Sequence, residues 1–229
     1  ESNATLFLRK IISMKKALLG LGIISLFLSS CTEDRTIEAE KVIIIDPSSQ
    51  LIYYWNFNAL SGTVTAVNPD FTSSAEQANI TYDGAGAGFM DGDTGGYTIN
   101  ARNNDPAENL LKVRNPSNTR NLTLTMPTTG FKKVVLQFAL SRSNNGATTQ
   151  NYTYTTDGTN YTTVGLSKIS HNPSADPTVD LIALDFSSIT SINNNPNFKL
   201  KIDFVGEAAA NPTGNNRFDN ITLEGIPIL

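Results

Sequence analysis

Asp219 is the residue whose position in the sequence most directly raises a chemical question. It precedes Ile221 and Leu223 in the last apolar segment, and the three residues share one strand parity. That parity predicts that the carboxylate points toward the apolar side of a sheet. A carboxylate in such a place stays ionised only beside a cation or several hydrogen-bond donors. The sequence leaves both solutions open, since turn backbone, Arg217 or Arg102 can also supply the donors.

Tyrosines and polar loop residues form a second group with recognisable chemistry. Aromatic rings can stack on the C–H-rich sides of sugar rings, and the candidates to present such rings to solvent are Tyr54, Tyr97, Tyr152 and Tyr161. A tyrosine on a strand is also ordinary sheet decoration. Arg142 and Asn144 lie where an apolar segment enters a loop, which suits polar recognition of a glycan. Trp55 alternates in phase with neighbouring apolar residues and is predicted to lie in the core.

Several classes of active site lack the residues that they need. The chain has one His and one Cys, which excludes a multi-histidine zinc site, a thiolate metal cluster and an internal disulfide framework. His171 lies in a Pro/Asn/Ser-rich segment, and no Gly-x-Ser-x-Gly elbow is present, so a serine hydrolase is not expected. The formal charge is −4 and there is no Lys/Arg-rich block, so nucleic acid is not an expected partner. We therefore expect a protein that is not an enzyme.

The elements that must position these residues are predicted to be β-strands. Apolar residues recur with a period of two, most clearly in 198–204, where four apolar residues alternate with three charged ones. Asp157-Gly158, between two β-rich segments, predicts a hairpin. About ten to twelve such segments follow one another, separated by Asn/Gly/Pro clusters. The pattern predicts an all-β fold, a two-sheet antiparallel β-sandwich of the jelly-roll type, preceded by a signal-peptide helix.

The N-terminal segment is predicted to be a targeting signal. A basic Met14-Lys15-Lys16 precedes a nearly continuous apolar run over 17–28, which fits the h-region of a signal peptide and is too short to span a membrane. The tetrapeptide 28–31 (LSSC) resembles the lipobox of bacterial lipoproteins. This resemblance implies that Cys31 is diacylated and becomes the new N-terminus. The acidic pair that follows resembles the surface-export signal of lipoproteins in the Bacteroidota.

Beyond residue 50, five segments resemble a domain common in secreted and surface proteins of the Bacteroidota. They are 54–58 (YWNFN), 100–105 (NARNND) followed by 110–116 (LLKVRNP), 154–161 (YTTDGTNY), 193–199 (NNNPNFK) and 215–221 (NNRFDNI). The resemblance implies a jelly-roll sandwich similar to carbohydrate-binding modules. In such sandwiches a structural Ca²⁺ often lies between an acid that starts the last strand and oxygen ligands near the first. Here the resemblance places it between Asp219 and the side-chain oxygen of Asn56 or Asn58, oxygens being the ligands that calcium prefers.

Together these features predict three regions: upstream residues and a lipoprotein signal peptide in 1–30, lipidated Cys31 and a tether in 31–50, and the sandwich in 51–229. The expected location is the outer membrane, with a lipid anchor and exposure at the cell surface. The expected function is binding of an extracellular polysaccharide, with candidate contacts at Tyr97, Arg142, Asn144 and Tyr152. The alternatives are a structural or interaction lipoprotein that docks onto a surface protein partner, and a polysaccharide-cleaving enzyme.

Overall fold

A computed structural model describes residue 43 and residues 45–228. The predicted signal peptide, Cys31 and most of the predicted tether lie outside the described residues. The strands of the described part are β1 (Gln50–Trp55), β2 (Gly62–Val64), β3 (Ala66–Val67), β4 (Phe71–Thr72), β5 (Asn79–Tyr82), β6 (Met90–Thr94), β7 (Asn109–Arg114), β8 (Asn121–Thr125), β9 (Phe131–Arg142), β10 (Thr149–Thr155), β11 (Ser170–His171), β12 (Asp180–Asp185), β13 (Lys199–Val205) and β14 (Asn215–Pro227). Two 3-10 helices lie at Thr190–Ile192 and Glu207–Ala210. Across the described part of the chain, no helix has the length and apolar character that a membrane crossing requires.

The first sheet, sheet A, is built around β14. Its hydrogen-bonded order is β12-β9-β14-β7-β6-β2, and β1 pairs with both β14 and β4. On one side, β14 pairs with β7 through 215–218 and with β1 through 221–225, so these two strands lie end to end beside it. On its other side, β14 pairs antiparallel with β9 from residue 216 to residue 227. The last strand therefore joins most of this sheet.

The second sheet, sheet B, has the order β11-β10-β13-β8-β5-β3, and its pairings are antiparallel. The chain alternates between the sheets along its longer strands: β7, β9, β12 and β14 belong to sheet A, while β8, β10 and β13 belong to sheet B. Such alternation between two packed sheets is the connectivity of a jelly roll. The predicted all-β, two-sheet antiparallel sandwich is confirmed.

Apolar side chains from both sheets meet in one core. In β13 the residues alternate between buried Leu200, Ile202 and Phe204 and partly exposed charged residues, as a period of two requires. Aromatic rings pack edge to face across the interface, because β9 and β14 face β10 and β13. The ring centroids of Phe138 and Tyr152 are 6.4 Å apart, and those of Phe204 and Phe218 are 6.3 Å apart. Each such contact contributes about 0.5–1.5 kcal/mol beyond the area that it buries.

Tyr152 belongs to this core and Tyr54 is buried as well, so the expectation that these two tyrosines are exposed is wrong. The alternation of β10 turns Tyr152 inward together with Tyr154, and none of the Tyr152 side chain reaches solvent. Its hydroxyl donates to Oε1 of the equally buried Gln150 at 3.1 Å, and burial raises the pKa of Tyr152. Trp55 is fully buried, as predicted, and its indole N–H donates to the carbonyl of Val67 at 3.2 Å.

Candidate functional site

Sheet B presents a polar surface to solvent across four neighbouring strands. Every second residue of β10, β13, β8 and β5 is turned away from the core, and antiparallel sheets commonly have one solvated side. The side chains turned outward are exposed or half-buried. We call this surface the open face, and it consists of Asn151, Thr153, Lys199, Lys201, Asp203, Asn121, Thr123, Thr125, Asn79 and Thr81.

The strand register arranges these side chains in rows across the open face. Lys201 pairs with Thr153 on one side and Thr123 on the other, and Thr81 pairs with Thr123. Directly opposite residues on one side of an antiparallel pair have Cβ atoms about 4.5–5.5 Å apart. Hydroxyl, amide and charged groups therefore recur at close intervals, and an extended ligand lying across the strands can contact several of them at once.

A tyrosine, a lysine and a carboxylate meet on the open face. Thr162 forms a bridge with Tyr154 beside β10, and the preceding Tyr161 lies with its ring centroid 4.6 Å from Nζ of Lys201. Nζ of Lys201 is also 3.9 Å from Oδ2 of Asp203. Burial raises the pKa of Asp203 and that of Tyr161. The cluster combines an aromatic ring with a cation and an acid, which are groups that sugar hydroxyls and ring C–H groups can contact.

The two sides of the open face differ in how many hydrogen bonds their polar groups make. Oγ1 of Thr153 is buried and has no hydrogen-bond partner among the described residues. At the β5 side, the backbone N–H of Asn121 donates to Oδ1 of Asp83 at 2.8 Å, and its amide nitrogen lies 3.2 Å from Oδ2. The hydroxyl of Thr123 donates to Oδ1 of Asn121 at 3.0 Å. Hydrogen bonds therefore hold the polar side chains beside β5 in place. The polar side chains of β10 and β13 have fewer hydrogen-bond partners within the described residues.

The outer side of sheet A differs, because ion pairs and a long segment cover it. The ion pairs are Arg114–Asp91 at 2.6 Å, Lys112–Asp93 at 2.5 Å, Arg102–Glu224 at 2.6 Å and Arg217–Asp176. The segment 95–108 lies over β14, where the amide of Asn220 donates to the carbonyls of Tyr97 and Ile99 at 2.7 and 3.1 Å. These polar groups already have partners within the protein, so the open face is the stronger candidate for ligand binding.

Asp219 lies under this covering segment and not in the core. A bulge in β14 interrupts the pairing with β9 between residues 219 and 222, and Asn220 has a φ of 49°. The extra residue changes the parity, so Phe218 joins Ile221 and Leu223 in the core while Asp219 faces the other way. The prediction that Asp219 points toward the apolar side is therefore wrong.

The carboxylate of Asp219 is nevertheless almost completely buried, with 1% of the residue exposed. Oδ2 accepts the backbone N–H of Tyr97 at 2.6 Å, and Oδ1 accepts that of Asn220 at 2.8 Å. Burial raises the pKa of Asp219 to about 7, and these two hydrogen bonds offset only part of the effect. The observed solution is therefore the backbone one that the sequence left open, and the two arginines of the alternative pair with other acids.

The two asparagines predicted to share a cation with Asp219 make other contacts. Oδ1 of Asn56 accepts the backbone N–H of Asn58 at 3.0 Å, while its amide nitrogen donates to Asp105 at 2.8 Å. Oδ1 of Asn58 accepts the backbone N–H of Glu108 at 3.3 Å. Neither asparagine hydrogen-bonds to Asp219, and the described residues contain no group of three or more His, Cys, Asp or Glu arranged for a metal ion. These side chains therefore do not fit the predicted calcium ligand set.

The other predicted contact residues are not brought together into one surface. Tyr97 is half-buried, and its hydroxyl lies 2.6 Å from Oγ of Ser141 on the outer side of sheet A. Arg142 donates to three backbone carbonyls, those of Pro173, Ser143 and Asn144. Asn144 is exposed in the loop after β9. Arg142 therefore positions its own loop, and no residue of this set belongs to the open face.

The single histidine lies in a hydrogen-bond network at the edge of the sandwich. Nε2 of His171 is 2.9 Å from Oδ2 of Asp180, and the hydroxyl of Ser174 donates to Oδ1 of the same carboxylate at 2.7 Å. In a nucleophilic triad the serine donates to the histidine. Here Ser174 donates its hydrogen bond to the carboxylate of Asp180 instead, so this arrangement does not activate Ser174 as a nucleophile.

Sequence reasoning missed the open face as a site, although the signal was present. The alternation of 198–204 already turned Lys199, Lys201 and Asp203 to the same side of one strand. Only the pairing of β13 between β10 and β8 shows that threonines and asparagines flank these residues on both sides. Tyr161 could not have been placed beside Lys201 from the sequence, because forty residues separate them.

No family model and no curated protein matches the chain. Solved structures do match, among them the CBM22-1 xylan-binding domain of Xyn10C from Paenibacillus barcinonensis, with 8% identity, a TM-score of 0.48 and coverage of 81% of this chain and 100% of that one. A sugar-binding protein from Bacteroides thetaiotaomicron, described as putative, has 17% identity, a TM-score of 0.42 and coverage of 77% and 100%. The N-terminal cellulose-binding domain of β-1,4-glucanase C from Cellulomonas fimi has 14% identity, a TM-score of 0.36 and coverage of 55% and 84%. At this level the likeness concerns shape alone.

Proposed function

We propose that this chain is a lipid-anchored cell-surface protein that binds extracellular glycan on the open face and catalyses no reaction. The ligand class follows the resemblance of the sequence to carbohydrate-binding modules. The observation that carries the proposal is the cluster of Tyr161, Lys201 and Asp203 on a solvent-accessible polar sheet. Binding pockets combine apolar contact area with a few polar groups that fix orientation, and this cluster offers both.

The polar rows explain how a polysaccharide would be held. Sugar hydroxyls both donate and accept hydrogen bonds, and the open face offers hydroxyls, amides, ammonium groups and a carboxylate. An extended polymer can cross neighbouring strands and make several weak contacts along its length.

A binding experiment with matched variants tests the proposal. The purified chain is titrated against a panel of immobilised neutral and charged polysaccharides, and binding is followed by biolayer interferometry. We expect Asp203→Asn to weaken binding about tenfold, since one charge-assisted hydrogen bond to a sugar hydroxyl is worth roughly 1.5 kcal/mol. Tyr161→Ala should weaken binding by about the same factor, because the apolar contact area of the ring is lost. Leu181→Ala is the control, because Leu181 is 50% exposed and lies on β12 of the opposite sheet.

The proposal fails if no polysaccharide in the panel binds, or if the open-face variants bind as well as the control while melting like the wild-type protein. Turnover of any polysaccharide to shorter products by the purified chain would contradict the absence of catalysis.

Lipid anchoring at Cys31 forms the second part of the proposal. Two or more buried acyl chains hold a protein stably on a membrane, since each buried CH₂ contributes about 0.8 kcal/mol. Cells fed a radiolabelled fatty acid are expected to incorporate label into the wild-type chain and not into Cys31→Ser. Recovery of the unlabelled wild-type chain in the soluble fraction would contradict the anchor. Protease treatment of intact cells then tests surface exposure, because an outward-facing sandwich is accessible to the protease.

A further inference from the structure

Two lysines give one part of the open face a positive charge. Lys199 and Lys201 lie two residues apart on β13 and point to the same side, which places their Cα atoms about 6–7 Å apart. Lys201 has Asp203 at 3.9 Å and the ring of Tyr161 at 4.6 Å. Lys199 has no ion pair and no hydrogen bond from Nζ within the described part of the chain. The two flexible ammonium groups can therefore reach a common ligand.

The other carboxylates near these lysines are engaged elsewhere. Asp157 follows Thr155, the cross-strand partner of Lys199 on β10. Oδ1 of Asp157 accepts the hydroxyl of Thr155 and the backbone N–H groups of Thr159 and Asn160, at 2.7 to 2.8 Å. Its Oδ2 accepts the side-chain amide of Asn160 at 2.6 Å. Its own turn therefore occupies both oxygens of Asp157, and among the described residues Asp157 makes no ion pair with Lys199.

The remaining acid lies toward the opposite end of the strands. Asp83 accepts the backbone N–H of Asn121, which pairs with Asp203 at one end of β13, whereas Lys199 begins that strand. The open face is thus divided, with Asp83 and Asp203 toward one end and the two lysines toward the other. Because the whole chain has a formal charge of −4, the positive end is a local feature and not part of a general basic surface.

Hydroxyl donors flank the two lysines. Thr125 pairs with Lys199, and Thr123 and Thr153 pair with Lys201 on its two sides. An oxyanion placed between the ammonium groups can accept from them and from the hydroxyl of Thr125, and charge-assisted hydrogen bonds are about twice as strong as neutral ones. Carboxylate and sulfate groups both supply such oxygens, and both occur on polysaccharides.

We infer that the glycan bound by the open face is anionic and that its carboxylate or sulfate groups lie at Lys199 and Lys201. This inference rests on the proposed glycan-binding function. The acidic end of the open face gives the ligand a direction, because negative groups of the polymer are repelled from Asp203 and Asp83. A neutral or less charged sugar unit is expected at Tyr161.

Polymers that differ only in charge test the inference. The purified chain is measured by biolayer interferometry against polygalacturonate and its fully methyl-esterified form, and against dextran sulfate and dextran. The first pair isolates the carboxylate and the second isolates the sulfate. We expect one acidic polymer to bind at least tenfold more tightly than its neutral counterpart. Raising NaCl from 0.1 M to 1 M should weaken that binding, since the Debye length falls from about 10 Å to about 3 Å.

Charge-removing variants locate the binding. Lys199→Gln and Lys201→Gln are each expected to weaken binding of the acidic polymer about tenfold, the loss of one charge-assisted contact. Lys132→Gln is the matched control, because Lys132 is exposed on β9 of sheet A. Thermal melting of each variant confirms that it is folded.

The outcomes separate this inference from the proposed function. Equal binding of acidic and neutral polymers, binding of neutral glycans alone, or unchanged binding by both lysine variants overturns the inference and leaves glycan binding in place. Absence of binding to every polysaccharide overturns both.

Discussion

Asp219 should make the folded chain less stable as the pH rises, and Asp219→Asn should remove that dependence. The carboxylate is buried under the segment 95–108, and its pKa is raised to about 7 from the ordinary 3.8. Below about pH 4 it is protonated in both the folded and the unfolded chain, so it carries no ionisation cost. Above about pH 7 it is ionised in both, and the folded state then bears the full cost of the buried charge.

The magnitude follows from the size of the pKa shift. At 1.36 kcal/mol per pKa unit, a rise from 3.8 to about 7 corresponds to on the order of 4 kcal/mol of unfolding free energy, lost between pH 4 and pH 7. Asparagine keeps the shape without the charge, but it offers one acceptor oxygen to the two backbone N–H groups of Tyr97 and Asn220. That mismatch costs about 1–3 kcal/mol at every pH.

The measurement is the unfolding free energy from urea titrations between pH 4 and pH 8, followed by the fluorescence of Trp55. Trp55 is the only tryptophan in the chain and is fully buried, so its emission reports unfolding directly. The difference between Asp219→Asn and the wild type is expected to shift in favour of the variant by on the order of 4 kcal/mol as the pH rises. Other titrating groups cancel in this difference.

Glu76→Gln serves as the control, because Glu76 is an exposed loop carboxylate and its replacement should leave the pH profile unchanged. A difference between Asp219→Asn and the wild type that is the same at pH 4 and pH 8 would refute the argument that burial raises the pKa.

Three further predictions concern the core, an edge network and calcium. Phe138→Ala should lower the unfolding free energy by about 3–5 kcal/mol in urea titrations, since its ring packs between the sheets. Asp180→Asn should lower it by about 1–3 kcal/mol at pH 7. Burial acts to raise the pKa of Asp180, but hydrogen bonds from His171 and Ser174 bring it below the ordinary value, so this stabilisation is lost as the pH falls below 4. Because Asn56 and Asn58 make other contacts, calcium chloride and EDTA should leave the melting temperature at pH 8 unchanged.

Each of these predictions has a clear opposite result. A cost below about 1 kcal/mol for Phe138→Ala would mean that the sheet interface closes over the cavity. A cost for Asp180→Asn that grows below pH 4 would contradict the lowered pKa. A melting temperature at pH 8 that rises with calcium chloride and falls again with EDTA would contradict the conclusion that these side chains do not fit a calcium ion.

The sheets were predictable because alternation within a strand is a local property. The segment 198–204 repeats apolar and charged residues without a break, and the corresponding strand, β13, is observed over Lys199–Val205. The hairpin predicted around Asp157-Gly158 is only partly present, since its second arm pairs with β10 through a single bridge between Tyr154 and Thr162. The sequence shows a turn there but does not show how long the pairing continues.

The side on which Asp219 lies could not be predicted, because one inserted residue reverses parity for the rest of a strand. The bulge at Asn220 depends on contacts with the segment 95–108, more than one hundred residues earlier in the chain. The prediction that Tyr152 is exposed is wrong for a different reason, because a tyrosine can lie on either side of a sheet. Its burial depends on Phe138 from the opposite sheet, and no local pattern reports that contact.

The position of β14 has a consequence for the order in which the domain can form. β1 begins at Gln50, but the strand segment with which it pairs over most of its length is 221–225, near the end of the chain. β7 and β9 also pair with that final strand, β14. During synthesis, sheet A therefore cannot assemble until almost the whole domain has left the ribosome, and its strands wait with unpaired edges. A slow closing step is expected when residues 215–227 insert between strands already made, and removal of this segment should leave the pair β12-β9 and the group β7-β6-β2 without the strand that joins them.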